Sequence, residues 1–140
     1  MAQRVLIVDD ERDVTTYVAT ALRAHGFDAL VANSVKDGLR LVAETAPDLV
    51  LLDIVMPRES GLSMYLRLKE DPATQRIPIV ILSGVAQKGQ FDFRAYVADQ
   101  SVPPPDHYLE KPVSVDELIE VVTRFKANAG GLSQERNSHG

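Results

Sequence analysis

Five polar side chains come at the ends of short apolar segments of this chain: Asp9, Asp10, Asp53, Ser83 and Lys111. Carboxylates held close together repel one another unless a cation lies among them. Oxygen ligands with no histidine or cysteine beside them favour a hard ion, Mg2+ or Mn2+. A carboxylate, such an ion, a lysine and a hydroxyl at one point could carry out phosphoryl transfer. The product would be an acyl phosphate on Asp53.

Each of these residues also has an ordinary structural explanation when it is taken alone. An acidic pair after a strand is common in turns, a serine there often caps a helix, and most lysines are solvated. Asp53 is less ordinary, because it closes a run of four apolar residues where an unpaired buried carboxylate is costly. The joint placement at strand ends is far less expected by chance than any single member.

The elements that must position these residues are predicted from the alternation of two patterns. Short apolar segments predict strands buried on both faces of a parallel sheet: 5–8, 27–32, 49–52, 77–82 and a poorly marked one around 107–109. Helical spacing follows each of them: 14–22, 35–42 after an N-cap at Asn33 or Ser34, 62–68, about 91–98, and a last helix through Phe125 that a capping box opens at Ser114. This order predicts an α/β fold whose strands end at one edge of the sheet.

Length and composition bound the function further. The 140 residues suffice for about one domain, expected at 1–126, and the Gly- and Ser-rich stretch 127–140 is expected to be a disordered tail. A net charge of −5 argues against a generic nucleic-acid binder, and the absence of cysteine excludes thiol chemistry. No glycine-rich nucleotide loop is present, so the phosphoryl donor must be another protein or a small molecule. Without a signal peptide or an apolar run of membrane-spanning length, a cytoplasmic protein is expected.

Four segments resemble those of the receiver domains of two-component response regulators. They are 5–11 (VLIVDDE), 48–57 (DLVLLDIVMP, with Gly61 beyond), 77–83 (IPIVILS) and 108–112 (YLEKP), in the family's order. The resemblance implies a flavodoxin-like (βα)5 fold with a doubly wound, five-stranded parallel sheet. It also implies the strand order 2-1-3-4-5, of which receiver domains are a standard example.

The resemblance also implies a role for each matching residue. Asp53 is similar to the phosphoacceptor and Lys111 to the lysine that contacts the phosphoryl group. The implied Mg2+ (or Mn2+) ligands are Asp9, Asp10, Asp53 and the backbone carbonyl of Val55. Ser83 and Tyr108 match the pair of side chains that move on phosphorylation, and Lys111–Pro112 matches a cis peptide bond.

As a stand-alone receiver, the chain would accept a phosphoryl group from a histidine kinase, a histidine phosphotransfer protein or a small phosphodonor. It would then change its binding to a partner protein. Its chemistry would extend no further than its own phosphorylation and dephosphorylation. No direct nucleic-acid partner and no membrane insertion are expected, and a weak homodimer is possible.

Two alternatives stay open. The first is a metal-dependent hydrolase that uses an aspartyl phosphate, although such enzymes often carry a second aspartate where this chain has Val55. The second is a degenerate receiver that binds partners without phosphorylation, against which the intact Asp9, Asp10, Asp53 and Lys111 argue.

The chain departs from the family pattern between Ser83 and Lys111. This segment is longer than usual, Gly84 stands where alanine is common, and Pro103-Pro104-Pro105-Asp106-His107 replaces a Gly-Ala-Asp-Asp motif. These differences put the family's usual dimer geometry in doubt and leave the acidic residues untouched.

Overall fold

The computed structural model describes residues 3–54, 61–84, 97 and 99–126. Val55, all but Val97 of the helix expected over about 91–98, and the expected tail at 127–140 lie outside these residues.

Five parallel strands form one sheet in the order β2-β1-β3-β4-β5, which confirms the expected doubly wound α/β fold. The strands are β1 (Arg4–Val8), β2 (Asp28–Ala32), β3 (Leu49–Asp53), β4 (Ile79–Ser83) and β5 (His107–Glu110). β4 begins at Ile79, whereas the apolar run predicts a start at residue 77. The strand starts later because Pro78 lacks an N–H for the ladder, although its carbonyl still accepts a hydrogen bond from Val50 N.

Four helices are described: α1 (Arg12–Ala24), α2 (Val35–Thr45), α3 (Gly61–Glu70) and α4, which covers 115–126. Ser34 is the N-cap of α2, since its Oγ accepts a hydrogen bond from Asp37 N at 3.1 Å. Ser114 begins α4 in the same way, accepting from Glu117 N at 3.3 Å. All of the described helices are too short or too polar to pass through a lipid bilayer.

The core consists of two apolar clusters, one on each face of the sheet. Alternate residues of β1 point to opposite clusters, with Ile7 toward one and Leu6 toward the other. Val18 and Leu22 of α1 and Leu118 of α4 belong to the first cluster. The second contains, from α2 and α3, Val42, Met64, Tyr65 and Leu68. Because both faces are covered, the central strands are buried along their whole length, as their unbroken apolar sequences predict.

The strand order reverses between β1 and β3, since β2 pairs with one edge of β1 and β3 with the other. In doubly wound sheets such a reversal leaves a crevice at the carboxyl ends of the strands. The acidic residues that follow β1 and end β3 therefore meet at this crevice.

Candidate acidic phosphoryl-transfer site

Strand register brings Asp9 and Asp53 to the same level of the sheet. Val8 pairs with Leu52, so the next residue on each strand is an aspartate. Asp53 in turn pairs with Leu82, which places Ser83 one residue beyond it on β4. Lys111 N donates a hydrogen bond to Ser83 O at 2.7 Å and so ties the end of β5 to the same edge.

Three carboxylates form a cluster at this edge. One oxygen from each of Asp9, Asp10 and Asp53 lies within 4.8 Å of the other two. Asp9 and Asp53 are buried, whereas Asp10 is half-buried. Charges packed so closely away from water need a cation.

The cluster fits a hard divalent cation. Asp9 Oδ2 is buried and lies 2.7 Å from the Lys111 ammonium, while Asp9 Oδ1 accepts a hydrogen bond from Glu11 N at 2.9 Å. An all-carboxylate set with a half-buried member at its mouth matches the oxygen ligands and retained waters that Mg2+ prefers. The expected metal ligands Asp9, Asp10 and Asp53 therefore come together, and the fourth, the Val55 carbonyl, lies outside the described residues.

Lys111 places its ammonium beside two members of the cluster, Asp9 and Asp53. Its Nζ lies 2.7 Å from Asp9 Oδ2, 3.0 Å from Glu11 Oε1 and 3.6 Å from Asp53 Oδ1. Its side chain is 12% exposed. A lysine in this position can neutralise two buried carboxylates and remain within reach of a group attached to Asp53.

Two opposing effects set the pKa of Lys111. Burial of the ammonium acts to lower its pKa, as for any desolvated cation. The hydrogen bonds to Asp9 and Glu11 and the charges of Asp53 and Asp9 outweigh burial, so the pKa of Lys111 is raised above its ordinary value. The lysine is therefore a fixed positive charge at neutral pH and does not act as a base.

Asn33, directly after β2, holds the turn at Asp9 in place and links it to α1. Asn33 Nδ2 donates to Asp9 O at 2.8 Å and to Thr15 Oγ1 at 3.1 Å. Thr15 Oγ1, buried on α1, donates to Arg12 O at 3.1 Å. Sequence reasoning gave neither Asn33 nor Thr15 a role at the site. The signal that could have identified Asn33 is its position, since it is a polar residue directly after a strand of the same sheet.

Gly61 sets the distance between β3 and α3. Its N–H donates to Ile54 O at 3.1 Å. A Cβ at this position would lie 1.8 Å from Asp53 O, so only glycine allows α3 to begin this close to the acid. Sequence reasoning used Gly61 only as part of the motif and as the start of a helix.

The remaining expected residues lie on neighbouring strands. Ser83 ends β4 and is buried. Tyr108 lies on β5, paired with Ile81, and is 39% exposed. The Lys111–Pro112 peptide bond is cis, as the resemblance implies.

Comparison with known proteins identifies the group to which this architecture belongs. The family model described as the response regulator receiver domain matches residues 5–123. The phosphate regulon transcriptional regulatory protein PhoB of Pseudomonas aeruginosa is 35% identical over 127 residues, which cover 91% of this chain and 52% of PhoB. The chain thus spans about half the length of this curated relative.

Two further similarities cover nearly the whole of both chains. The polar-differentiation response regulator DivK of Brucella ovis is 29% identical over 129 residues, which cover 92% of this chain and 100% of DivK. A crystal structure of a putative response regulator from Chloroflexus aurantiacus has a TM-score of 0.75 and 28% identity and covers 91% of this chain and 99% of that one.

The family match begins within β1 and ends within α4, so it contains every strand end that contributes to the acidic cluster. Receiver domains are modules of phosphorylation-dependent signalling and are not generally classed as enzymes. The chain belongs to the response regulator receiver domain family.

Proposed function

We propose that residues 1–126 form a receiver that accepts a phosphoryl group on Asp53 and thereby changes its binding to a partner protein. One observation carries the proposal. The Asp53 carboxylate, buried at a strand end, lies 3.6 Å from the Lys111 ammonium and within 4.8 Å of the carboxylates of Asp9 and Asp10. A nucleophile, a fixed cation and a set of oxygen ligands for a metal are thus assembled at one point.

The transfer step uses Asp53 as the nucleophile. One of its carboxylate oxygens attacks the phosphorus of a phosphohistidine or of a small acyl phosphate. The bond from phosphorus to the imidazole nitrogen, or to the acyl oxygen, breaks and its electron pair leaves with that group. Asp53 becomes an acyl phosphate, and Lys111 offers its ammonium to the oxygens of the incoming group.

Asp9, Asp10 and Asp53 would hold Mg2+. When bound, the ion supplies positive charge to the phosphoryl oxygens in the transition state. Asp9 is held ready for this role by the hydrogen bonds that Glu11 N and Asn33 Nδ2 donate to it.

Ser83 and Tyr108 would carry the change to the surface. Ser83 ends a buried strand next to Asp53, and Tyr108 lies on the neighbouring strand three residues before Lys111, where it is partly exposed. A phosphoryl group that binds the Ser83 hydroxyl would favour one arrangement of these two side chains over another. A histidine kinase or phosphotransfer protein upstream and a protein partner downstream complete the proposal.

The proposal is tested by measuring the mass of the intact protein after incubation with acetyl phosphate. We expect one phosphoryl group to be added in the presence of Mg2+, and none after chelation or in Asp53→Asn. Asp37→Asn, which removes an exposed carboxylate from α2, is the matched control and should react like the wild type.

Beryllofluoride, a mimic of an acyl phosphate, provides a second measurement on the same proteins. The proposal is wrong if the wild type neither gains a phosphoryl group nor binds beryllofluoride with Mg2+. Repeated turnover of a phosphate ester would instead support a hydrolase.

A further inference from the structure

The side chain of Glu11 contacts Lys111 but has no part in the function proposed above. Its Oε1 lies 3.0 Å from Lys111 Nζ, closer than Asp53 Oδ1 at 3.6 Å. Its side chain is 60% exposed, whereas that of Asp9 is fully buried. Of the three carboxylates around Lys111, those of Asp9 and Asp53 are thus buried, whereas that of Glu11 is exposed to solvent.

The backbone of Glu11 is fixed, although its side chain is exposed. Glu11 N donates to Asp9 Oδ1 at 2.9 Å, and Glu11 O accepts from Val14 N and Thr15 N at 3.1 Å each. The side chain makes no capping hydrogen bond to α1. Its contact with Lys111 is therefore not needed to begin the helix and can break while the turn stays in place.

A phosphoryl group on Asp53 would compete for the Lys111 ammonium. An ammonium has three N–H donors, and in this structure three carboxylates surround it. Of these, only Asp9 and Glu11 lie within hydrogen-bond distance of it, and phosphoryl oxygens on Asp53 would draw the ammonium toward Asp53 and away from one of these two partners. Release of Glu11 costs least, because its exposed carboxylate regains water and an exposed ion pair contributes little. Release of Asp9 would cost more, because its fully buried carboxylate would lose one of its cations and could not regain water.

We propose that Glu11 is a positioning residue that holds Lys111 in the unphosphorylated receiver and is displaced from it by the phosphoryl group. The proposal rests on the function proposed above and adds a residue that resists activation. Loss of the Glu11 contact should favour the phosphorylated arrangement, since only the resting state makes it.

Beryllofluoride affinity at saturating Mg2+ tests this competition, with the saturation of Mg2+ checked separately for each variant. We expect Glu11→Gln to bind beryllofluoride about two- to five-fold more tightly than the wild type, the range that an exposed ion pair supports. The rate of loss of the phosphoryl group from Asp53 should stay unchanged, because Glu11 is already released in that state.

Two variants separate a lost contact from a lost charge. Glu11→Asp keeps the charge but is one methylene shorter, so it should bind beryllofluoride more tightly, as Glu11→Gln does. Asp13→Asn removes a charge from the first turn of α1. None of the ion pairs described for Lys111 involves Asp13, so this variant should bind beryllofluoride with the affinity of the wild type.

The outcomes distinguish the two proposals. A wild type that does not bind beryllofluoride contradicts the proposed function itself. If the wild type binds and Glu11→Gln binds equally or more weakly, only the role of Glu11 is wrong. Wild-type affinity in Glu11→Asp together with tighter binding in both Glu11→Gln and Asp13→Asn would show general charge repulsion and would also overturn it.

Discussion

Lys111 makes it possible for the side chains of Asp9 and Asp53 to be buried next to each other. Isolated carboxylates in the interior cost several kcal/mol each, and two of them also repel. Within the described part of the chain, the ammonium at 2.7 Å from Asp9 and 3.6 Å from Asp53 is the positive charge that offsets this cost. Lys111, which is proposed to contact the phosphoryl group, is thus also required for stability when no phosphoryl group is present.

Lys111→Met should therefore destabilise the protein in the absence of divalent metal. The change keeps an unbranched side chain of similar length and removes the charge. We expect the free energy of unfolding to fall by about 3 kcal/mol in the presence of a chelator, as for a buried ion pair that loses one partner. Mg2+ should restore part of the loss, because a bound cation again lies among the carboxylates.

Urea denaturation with chelator and with Mg2+ measures both effects. Lys36→Met, at an exposed position on α2, is the control and should change stability little. Equal stability of Lys111→Met and the wild type in chelator would show that Lys111 does not compensate the buried acids.

Two lysines of this chain should titrate in opposite directions from the ordinary pKa of 10.5. Burial lowers the pKa of Lys69, and the charge of Asp106 only partly opposes this effect. For Lys111, burial is outweighed by the hydrogen bonds to Asp9 and Glu11 and by nearby charge, so its pKa is raised. The stabilisation from charged Lys111 is thus complete below pH 10.5 and is lost only as the pH rises through its higher folded-state pKa.

Lysine side-chain chemical shifts followed against pH measure these two pKa values directly. The Lys69 signal should move below pH 10.5 and the Lys111 signal above it. The two lysines also change stability in opposite directions as the pH rises. The cost of burying charged Lys69 disappears as it loses its proton, whereas the stabilisation from charged Lys111 is lost. A Lys111 signal that titrates at or below pH 10.5 would contradict the described charge environment.

At the scale of elements, the site depends on how closely α3 approaches the end of β3. Gly61 begins α3 with its N–H bonded to Ile54 O and with no room for a side chain beside Asp53 O. The helix start and the phosphoacceptor candidate are therefore placed by one backbone contact. In contrast, a Cβ at Gly84, after β4, would meet nothing within 4 Å.

Gly61→Ala should damage both the fold and the site. The added Cβ would lie 1.8 Å from the Asp53 carbonyl oxygen, so the backbone has to move. We expect a loss of about 1–3 kcal/mol in the free energy of unfolding, typical of overpacking, together with weaker Mg2+ binding. Gly84→Ala is the matched control and should keep wild-type stability. Calorimetry of unfolding and of Mg2+ binding would test both, and a Gly61→Ala protein that matches Gly84→Ala would refute the argument.

At the scale of the whole molecule, the unusual proline segment is anchored to two elements. The hydroxyl of Tyr65, on α3 and fully buried, donates to Pro103 O. Asp106 then joins the start of β4, where its N–H donates to Ile79 O and its Oδ2 accepts from Ile79 N, each at 2.9 Å. The segment before β5 is therefore fastened to the helical layer on one face and to the sheet.

Tyr65→Phe should loosen this connection without changing the packing of the ring. Loss of one hydrogen bond should lower the free energy of unfolding by about 1 kcal/mol. Backbone amides of Asp106 and of β5 should exchange with solvent faster. Tyr17→Phe, at a tyrosine that is 48% exposed on α1, should leave both unchanged. Unaltered exchange in Tyr65→Phe would show that the Tyr65 hydroxyl does not hold this segment.

The sequence by itself determined the class of fold and most of the candidate site. Unbroken apolar runs such as 49–52 indicate strands buried on both faces, and this pattern is local enough to be read without coordinates. The polar residues at the ends of these runs had to reach one edge, because parallel strands all end there. Asp9, Asp10, Asp53 and Lys111 were predicted for this reason, with the strand order supplied by resemblance to the family.

Only the tertiary structure decided the contacts that cross between elements. Glu11 reaches Lys111 across 100 residues of sequence, Asn33 holds Asp9 from the position just after β2, and Tyr65 binds the carbonyl of Pro103. None of these contacts leaves a periodic signal, because each depends on the distance between two separately folded elements. The close approach at Gly61 is of the same kind. Local pattern specifies strands and helices, whereas the packing of the layers determines which side chains meet.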